Sequence, residues 1–176
     1  MNYMPTLITL MAAGTVALNV LLVLGVGALL SGWWRAHLVA FLRSNARLII
    51  FLLSIASVAG TLWFQFADGL NPCLFCWWQR IGMYPVLFIS TIAIVKNTDV
   101  SEIADYVLAL SIFGGAFALY QHLLQVLPAG ALIPCDAAGD CAVRSVFEFN
   151  FVTIPWMALS VFAILIFICL IVRKRK

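Results

Sequence analysis

Hydrophobic positions in this chain fall into five unbroken runs, not into stripes that alternate with polar faces. Residues 5–30 and 48–66 carry no charge, and 73–95 contain only Arg80. Residues 106–127 hold no Asp, Glu, Lys or Arg and one histidine, His122, while 152–172 hold none of these and lead into Arg173, Lys174, Arg175 and Lys176. Runs of about 20 apolar residues cross a ~30 Å hydrocarbon core as helices. Backbone groups in lipid must be satisfied within a helix or a closed barrel, and the period-2 alternation of a barrel is missing. The pattern predicts an all-α integral membrane protein with five spans.

Composition agrees. The 176 residues are 65% hydrophobic and 10% charged, whereas roughly a quarter of a soluble domain is charged. The formal net charge of +3 calls for no nucleic-acid partner, because the basic residues are spread along one rim. Arg35, Arg43, Arg47, Lys96 and the four C-terminal residues fall in segments that alternate correctly to share the cytoplasmic side. The opposite side has Asp68, Asp136, Asp140 and Glu148 against Arg144. The N-terminus is therefore expected outside and the C-terminus inside. The first run lacks a basic n-region and exceeds the usual 7–15 residues of a signal-peptide core, so it is expected to be a retained span. In the long outer segment, "RSVFEFNF" interleaves polar and aromatic residues, as either a surface-lying stretch or a loop with interfacial aromatics would.

That orientation gives the cysteines a compartment. Cys73 and Cys76 lie where a short outer loop enters the third span, and Cys135 and Cys141 lie in the long outer loop, 128–151. Cys169 sits alone near the cytoplasmic end of the last span, as a small packing residue. Four of five cysteines thus face the side on which disulfides persist. A metal site, a structural clip and a redox couple all remain open at this point.

Local chemistry favours the couple. Asn71 and Pro72 read as N-cap and first helical residue, which places Cys73 and Cys76 in the first turns. A thiolate there gains about 0.3–1 kcal/mol from the helix dipole, enough to lower a thiol by up to about a unit. Arg80, four residues beyond Cys76, shares its helical face and supplies a cation. His122, at a similar depth on the next span, is a candidate hydrogen-bond or proton-transfer group. Trp77 and Trp78 read first as interfacial aromatics, and Pro85 as a kink. A disulfide between Cys135 and Cys141 would close so short a loop that it adds only ~2.4 kcal/mol, a poor clamp but a reasonable exchangeable couple.

"NPCLFCWWQRIGMYP", "YQHLLQ" followed by "IPCDAAGDC", and "FEFNFVTIPWMAL" together resemble the DsbB/BdbC family of membrane disulfide-forming oxidoreductases, from about Arg47 onward. The resemblance implies a four-helix DsbB-like bundle at 47–176, preceded at 1–46 by an extra N-terminal transmembrane helix and a cytoplasmic loop. It implies catalytic Cys73, Cys76, Cys135 and Cys141. Cys135–Cys141 would oxidise a thioredoxin-fold partner of the DsbA type, with Cys135 forming the mixed disulfide. Electrons would pass through a Cys73–Cys141 bridge to Cys73/Cys76 and on to a membrane quinone, ubiquinone or menaquinone. Cys76, Arg80 and His122 would contact that quinone, in a bacterial cytoplasmic membrane. The second pair is spaced as in compact BdbC-like members, and the extra span has no counterpart in the usual four.

Rival readings are a structural membrane protein holding zinc on four cysteines and a vitamin K epoxide reductase-like quinone reductase. A permanently occupied zinc site would leave Arg80 without a purpose.

Overall fold

Five helices carry the chain, in the computed structural model, which describes residues 4–128 and 140–173: α1 (Met4–Leu30), α2 (Gly32–Phe66), α3 (Leu74–Val95), α4 (Val100–Val126) and α5 (Ile154–Val172). All five are long and apolar enough to cross a membrane. Among the described residues no strand forms, and a 3-10 turn at Asp140–Ala142 precedes the last stretch of outer loop. Cys135 lies outside the described residues, as do Lys174, Arg175 and Lys176.

Helix α2 is much longer than its hydrophobic run. Its 35 residues span about 52 Å, well beyond the hydrocarbon core. The segment expected as a cytoplasmic loop, with Arg35, Arg43 and Arg47, is helical instead, and the boundary expected at 46/47 falls inside one continuous helix. Charge ends an apolar run, but it does not end the backbone hydrogen bonding of a helix. Helix α4 likewise starts at Val100, six residues before its uncharged run, capped by Asp99, whose side chain accepts from the Ser101 N–H at 2.8 Å.

Helices α2 to α5 form the bundle, and two glycines set how closely three of them approach. A Cβ on Gly82 of α3 would stand 2.9 Å from Gly114 Cα of α4, and one on Gly114 would stand 2.3 Å from the Phe162 ring of α5. Small residues let membrane helices gain dispersion contacts that lipid cannot match. Around this point Ile50, Val86, Val107, Leu165 and Ile168 are fully or almost fully buried. Ser54 of α2 and Ser90 of α3 meet at 3.3 Å within the same layer.

Helix α1 turns into α2 through the single residue Ser31 and runs back alongside it, bringing the Met11 methyl to Gly60. It also touches α5, where Phe167 packs on Gly25, and leaves most of its own surface exposed. At the outer end, Phe149 and Asn150 take left-handed backbone (φ 51° and 63°) in a tight turn. Reciprocal bonds between Glu148 and Val152, 2.9 and 2.8 Å, close that turn. The "RSVFEFNF" segment is therefore a folded turn that delivers Thr153 as the N-cap of α5.

Candidate redox site

The first cysteine pair sits one step differently from expectation. Cys73, not Asn71, is the N-cap of α3, with extended backbone (φ −73°, ψ 175°), and the helix begins at Leu74. The Leu70 N–H bonds back to Phe64 O at 3.0 Å, and Gly69 adopts φ 67°, so the chain is still turning out of α2 when it reaches Pro72. Cys73 and Cys76 consequently hold N-cap and N3, three residues apart and on one face of the first turn. Their sulfurs stand 3.2 Å apart as free thiols. The Cys73 thiol is pushed well up from its ordinary value: the contact with Cys76 holds its proton, and burial adds to that.

Gln121 of α4, which sequence reasoning missed, organises the pair. Its amide nitrogen donates to the Cys73 sulfur at 3.2 Å and approaches the Cys76 sulfur at 3.7 Å. Its oxygen accepts from Gln79 Nε2 at 2.7 Å, which fixes the amide's orientation. One turn farther out, Gln125 donates to the carbonyls of Val143 at 3.0 Å and Cys141 at 3.5 Å. Successive turns of α4 thus hold both cysteine regions at one end of the bundle. A neutral amide inside an apolar run carries no charge signal, although the 121/125 spacing was legible as one helix face.

Arg80 is 7% exposed and leans toward α2. It donates to Gln65 Oε1 at 2.6 Å and to Thr61 O at 3.3 Å, and its guanidinium lies 5.1 Å from the Trp77 ring centre. The cation is therefore held one turn below Cys76 by an amide and a carbonyl, with no carboxylate bound to it among the described residues. Trp78 stacks on Phe117 of α4, ring centres 5.4 Å apart, on the outer surface of the α3–α4 pair. Neither tryptophan lines the cavity described next.

That cavity, about 460 Å³ and partly open, is lined by residues of all five helices and of the loop after Cys141. Cys73, Cys76, Gln79, Arg80 and Gln121 line its polar side, with Phe64, Met83 and Phe162 among the apolar walls. A wider groove of about 1290 Å³ lies at the other end of the molecule, between Arg35, Arg43 and Arg173, and no cysteine lines it.

His122 does not reach the cavity, contrary to expectation. Neighbouring helix residues point about 100° apart, so turning Gln121 toward α3 turns His122 toward α5. There its Nδ1 meets Thr153 Oγ1 at 2.9 Å, and its ring packs 4.7 Å from Trp156. It fastens α4 to the cap of α5. Cys169 is fully buried among apolar side chains, as expected of a packing residue. Cys141 is disulfide-bonded.

An all-helical membrane protein with a dithiol facing an internal cavity and a disulfide above it belongs, by class, with the thiol–disulfide oxidoreductases. Comparison with known proteins agrees: the model of the family "Disulfide bond formation protein DsbB" matches residues 43–172. The chain is 32% identical over 127 residues to Disulfide bond formation protein C of Bacillus subtilis, covering 71% of this chain and 91% of that one. It is 37% identical over 134 residues to a probable disulfide formation protein C of Halalkalibacterium halodurans, covering 74% and 96%. A probable disulfide formation protein of Chlamydia caviae is matched over its whole length, at 31% identity over 140 residues. No solved structure matches. The chain belongs to the DsbB family: it is a multi-pass bacterial membrane protein of disulfide bond formation.

Proposed function

We propose that this protein reoxidises a DsbA-like, thioredoxin-fold dithiol on the extracytoplasmic side of the bacterial cytoplasmic membrane and delivers the electrons to membrane quinone. The N-terminus is outside and the C-terminus cytoplasmic. The observation that carries the reading is the free Cys73/Cys76 pair, 3.2 Å apart, facing a cavity inside the bundle while Cys141 remains in a disulfide. Such an arrangement supports a relay between an outer disulfide and an inner pair of sulfurs.

The partner's dithiol gives up two electrons and two protons as Cys135–Cys141 opens to two thiols. Exchange with the inner disulfide, through a Cys73–Cys141 bridge, returns Cys135–Cys141 to the oxidised form and leaves Cys73 and Cys76 as thiols. Re-forming Cys73–Cys76 then releases two electrons and two protons. A quinone, when bound, supplies a two-electron, two-proton acceptor.

The cavity suits such a group. Its volume falls within the range of small-molecule sites, ~300–1,000 Å³, with mostly apolar walls and a few donors at one side. Cys73 keeps its proton while Gln121 orients both sulfurs, which leaves Cys76 as the nucleophile. Arg80, anchored by Gln65 and Thr61, holds positive charge on the Cys76 side and offers donors to carbonyl oxygens.

Anaerobic mixing of the purified protein with a reduced thioredoxin-fold dithiol and ubiquinone tests this reading. One quinol should appear per partner disulfide. Partner disulfide without quinol would refute the acceptor, and Arg80→His should raise the apparent KM for quinone more than it slows partner exchange.

A further inference from the structure

We propose that α1 is the lateral wall of the redox cavity and limits the size of the molecule that reaches the dithiol, with Gly14 as the position where that limit is set. The inference deepens the quinone reading above and rests on it for the identity of the acceptor, though not for the existence of the wall.

The family match begins at residue 43, so α1 lies outside it. Yet Met11, Gly14, Thr15 and Leu18 line the same cavity as Cys73 and Cys76. These four follow the i, i+3, i+4, i+7 spacing of a single helix face. The rest of α1 is largely exposed, with Leu21, Val23 and Leu24 each more than 60% accessible, as a lipid-facing helix should be.

The helix packs on α2 and on α5, with Met11 reaching Gly60 and Gly25 meeting Phe167, so it lies across the seam between them. The cavity is bounded along that seam by Ser57, Gly60 and Thr61 of α2 and by Met157 and Ala158 of α5. Thr15 offers the cavity little polarity, because its hydroxyl is already donated to Met11 O at 2.9 Å. This wall contributes shape and no chemistry.

Gly14 is the gap in it. A Cβ built there meets no atom within 4 Å, so a larger side chain enters open space without colliding with a neighbour. A leucine or tryptophan is also a better helix former than glycine, so the helix itself should not suffer. Gly27 provides a matched control: it too has nothing within 4 Å and does not line the cavity.

The experiment compares wild type, Gly14→Trp and Gly27→Trp in full-length, membrane-embedded protein. The first readout is the rate at which Cys73 and Cys76 are modified by small N-ethylmaleimide and by bulky N-pyrenylmaleimide, with the labelled peptide quantified by mass spectrometry. Gly14→Trp should slow the bulky reagent about tenfold more than the small one, and Gly27→Trp should slow neither selectively. The second readout is ubiquinone reduction, whose KM should rise about tenfold in Gly14→Trp while exchange with the partner dithiol stays at the wild-type rate. Bulky-reagent rates that ignore residue 14, or that respond equally to residue 27, would overturn the wall. Labelling that depends on residue 14 in a wild-type protein that reduces no quinone would uphold the wall and refute the acceptor.

Discussion

The outer and inner halves of the bundle are held together by different forces. In the outer half Gln79, Arg80, Gln121, His122, Gln125 and Thr153 are buried, and each makes a hydrogen bond to another helix or to a loop. In the inner half Ile50, Val86, Val107, Leu165 and Ile168 fill the space, with Gly82 and Gly114 allowing backbones to touch. Hydrogen bonds act at specific points and tolerate a gap between those points, whereas dispersion contact does not. The cavity therefore lies where amides span the helices, and Phe162, pressed against Gly114, forms its floor.

The comparison predicts that outer substitutions cost activity and inner ones cost folding. The largest effect belongs to Cys76→Ser, which should abolish acceptor reduction while melting in detergent stays at the wild-type temperature; a matching loss of stability would erase the contrast. Gly114→Leu should be the most destabilising, by about 3 kcal/mol, because the new side chain meets the Phe162 ring. Normal yield and melting of that variant would show that the inner half is not tightly packed. Gln121→Leu removes the donor to the Cys73 sulfur and leaves Gln79 Nε2 without its acceptor. Losing about 1 kcal/mol of stabilisation from the reduced form should lower the potential of the inner couple by roughly 20 mV in a glutathione titration. A potential unchanged or raised would remove Gln121 from the site.

The smallest effect is on the pH profile of Cys73. Its thiol is raised chiefly by the contact with Cys76, so Cys76→Ala should bring it down, and the midpoint of Cys73 alkylation should move to lower pH. A midpoint that stayed in place would assign the shift to burial alone.

Much of this was legible in the chain. The five runs gave the spans, and the cysteine spacing singled out Cys73, Cys76 and Arg80, because charge and sulfur are conspicuous in an apolar sequence. What stayed hidden has identifiable causes. The N-terminal extension of α2 was read as a cytoplasmic loop because hydropathy reports the solvent around a helix and not its hydrogen bonding. The N-cap was placed two residues early because Asn71 and Pro72 satisfy the local rule, while the bond from Leu70 to Phe64 keeps the backbone turning until Cys73. Gln65 and Gln121 were passed over because a lone amide in a span resembles any tolerated polar residue; only the fold reveals that they face Arg80 and the sulfurs. His122 drew attention by its chemistry, and the fold turns it to Thr153 while its neighbour Gln121 faces the sulfurs.

The half-turn displacement of that helix start gives the two inner sulfurs different backbone settings. Cys76 rides within the first turn of α3, whereas Cys73 ends the strap that descends from Gly69 and joins the helix through its carbonyl, which accepts from the Trp77 N–H at 3.2 Å. In the relay proposed above, exchange with the loop would fall to the sulfur at the helix boundary, and delivery to the acceptor to the sulfur inside the first turn.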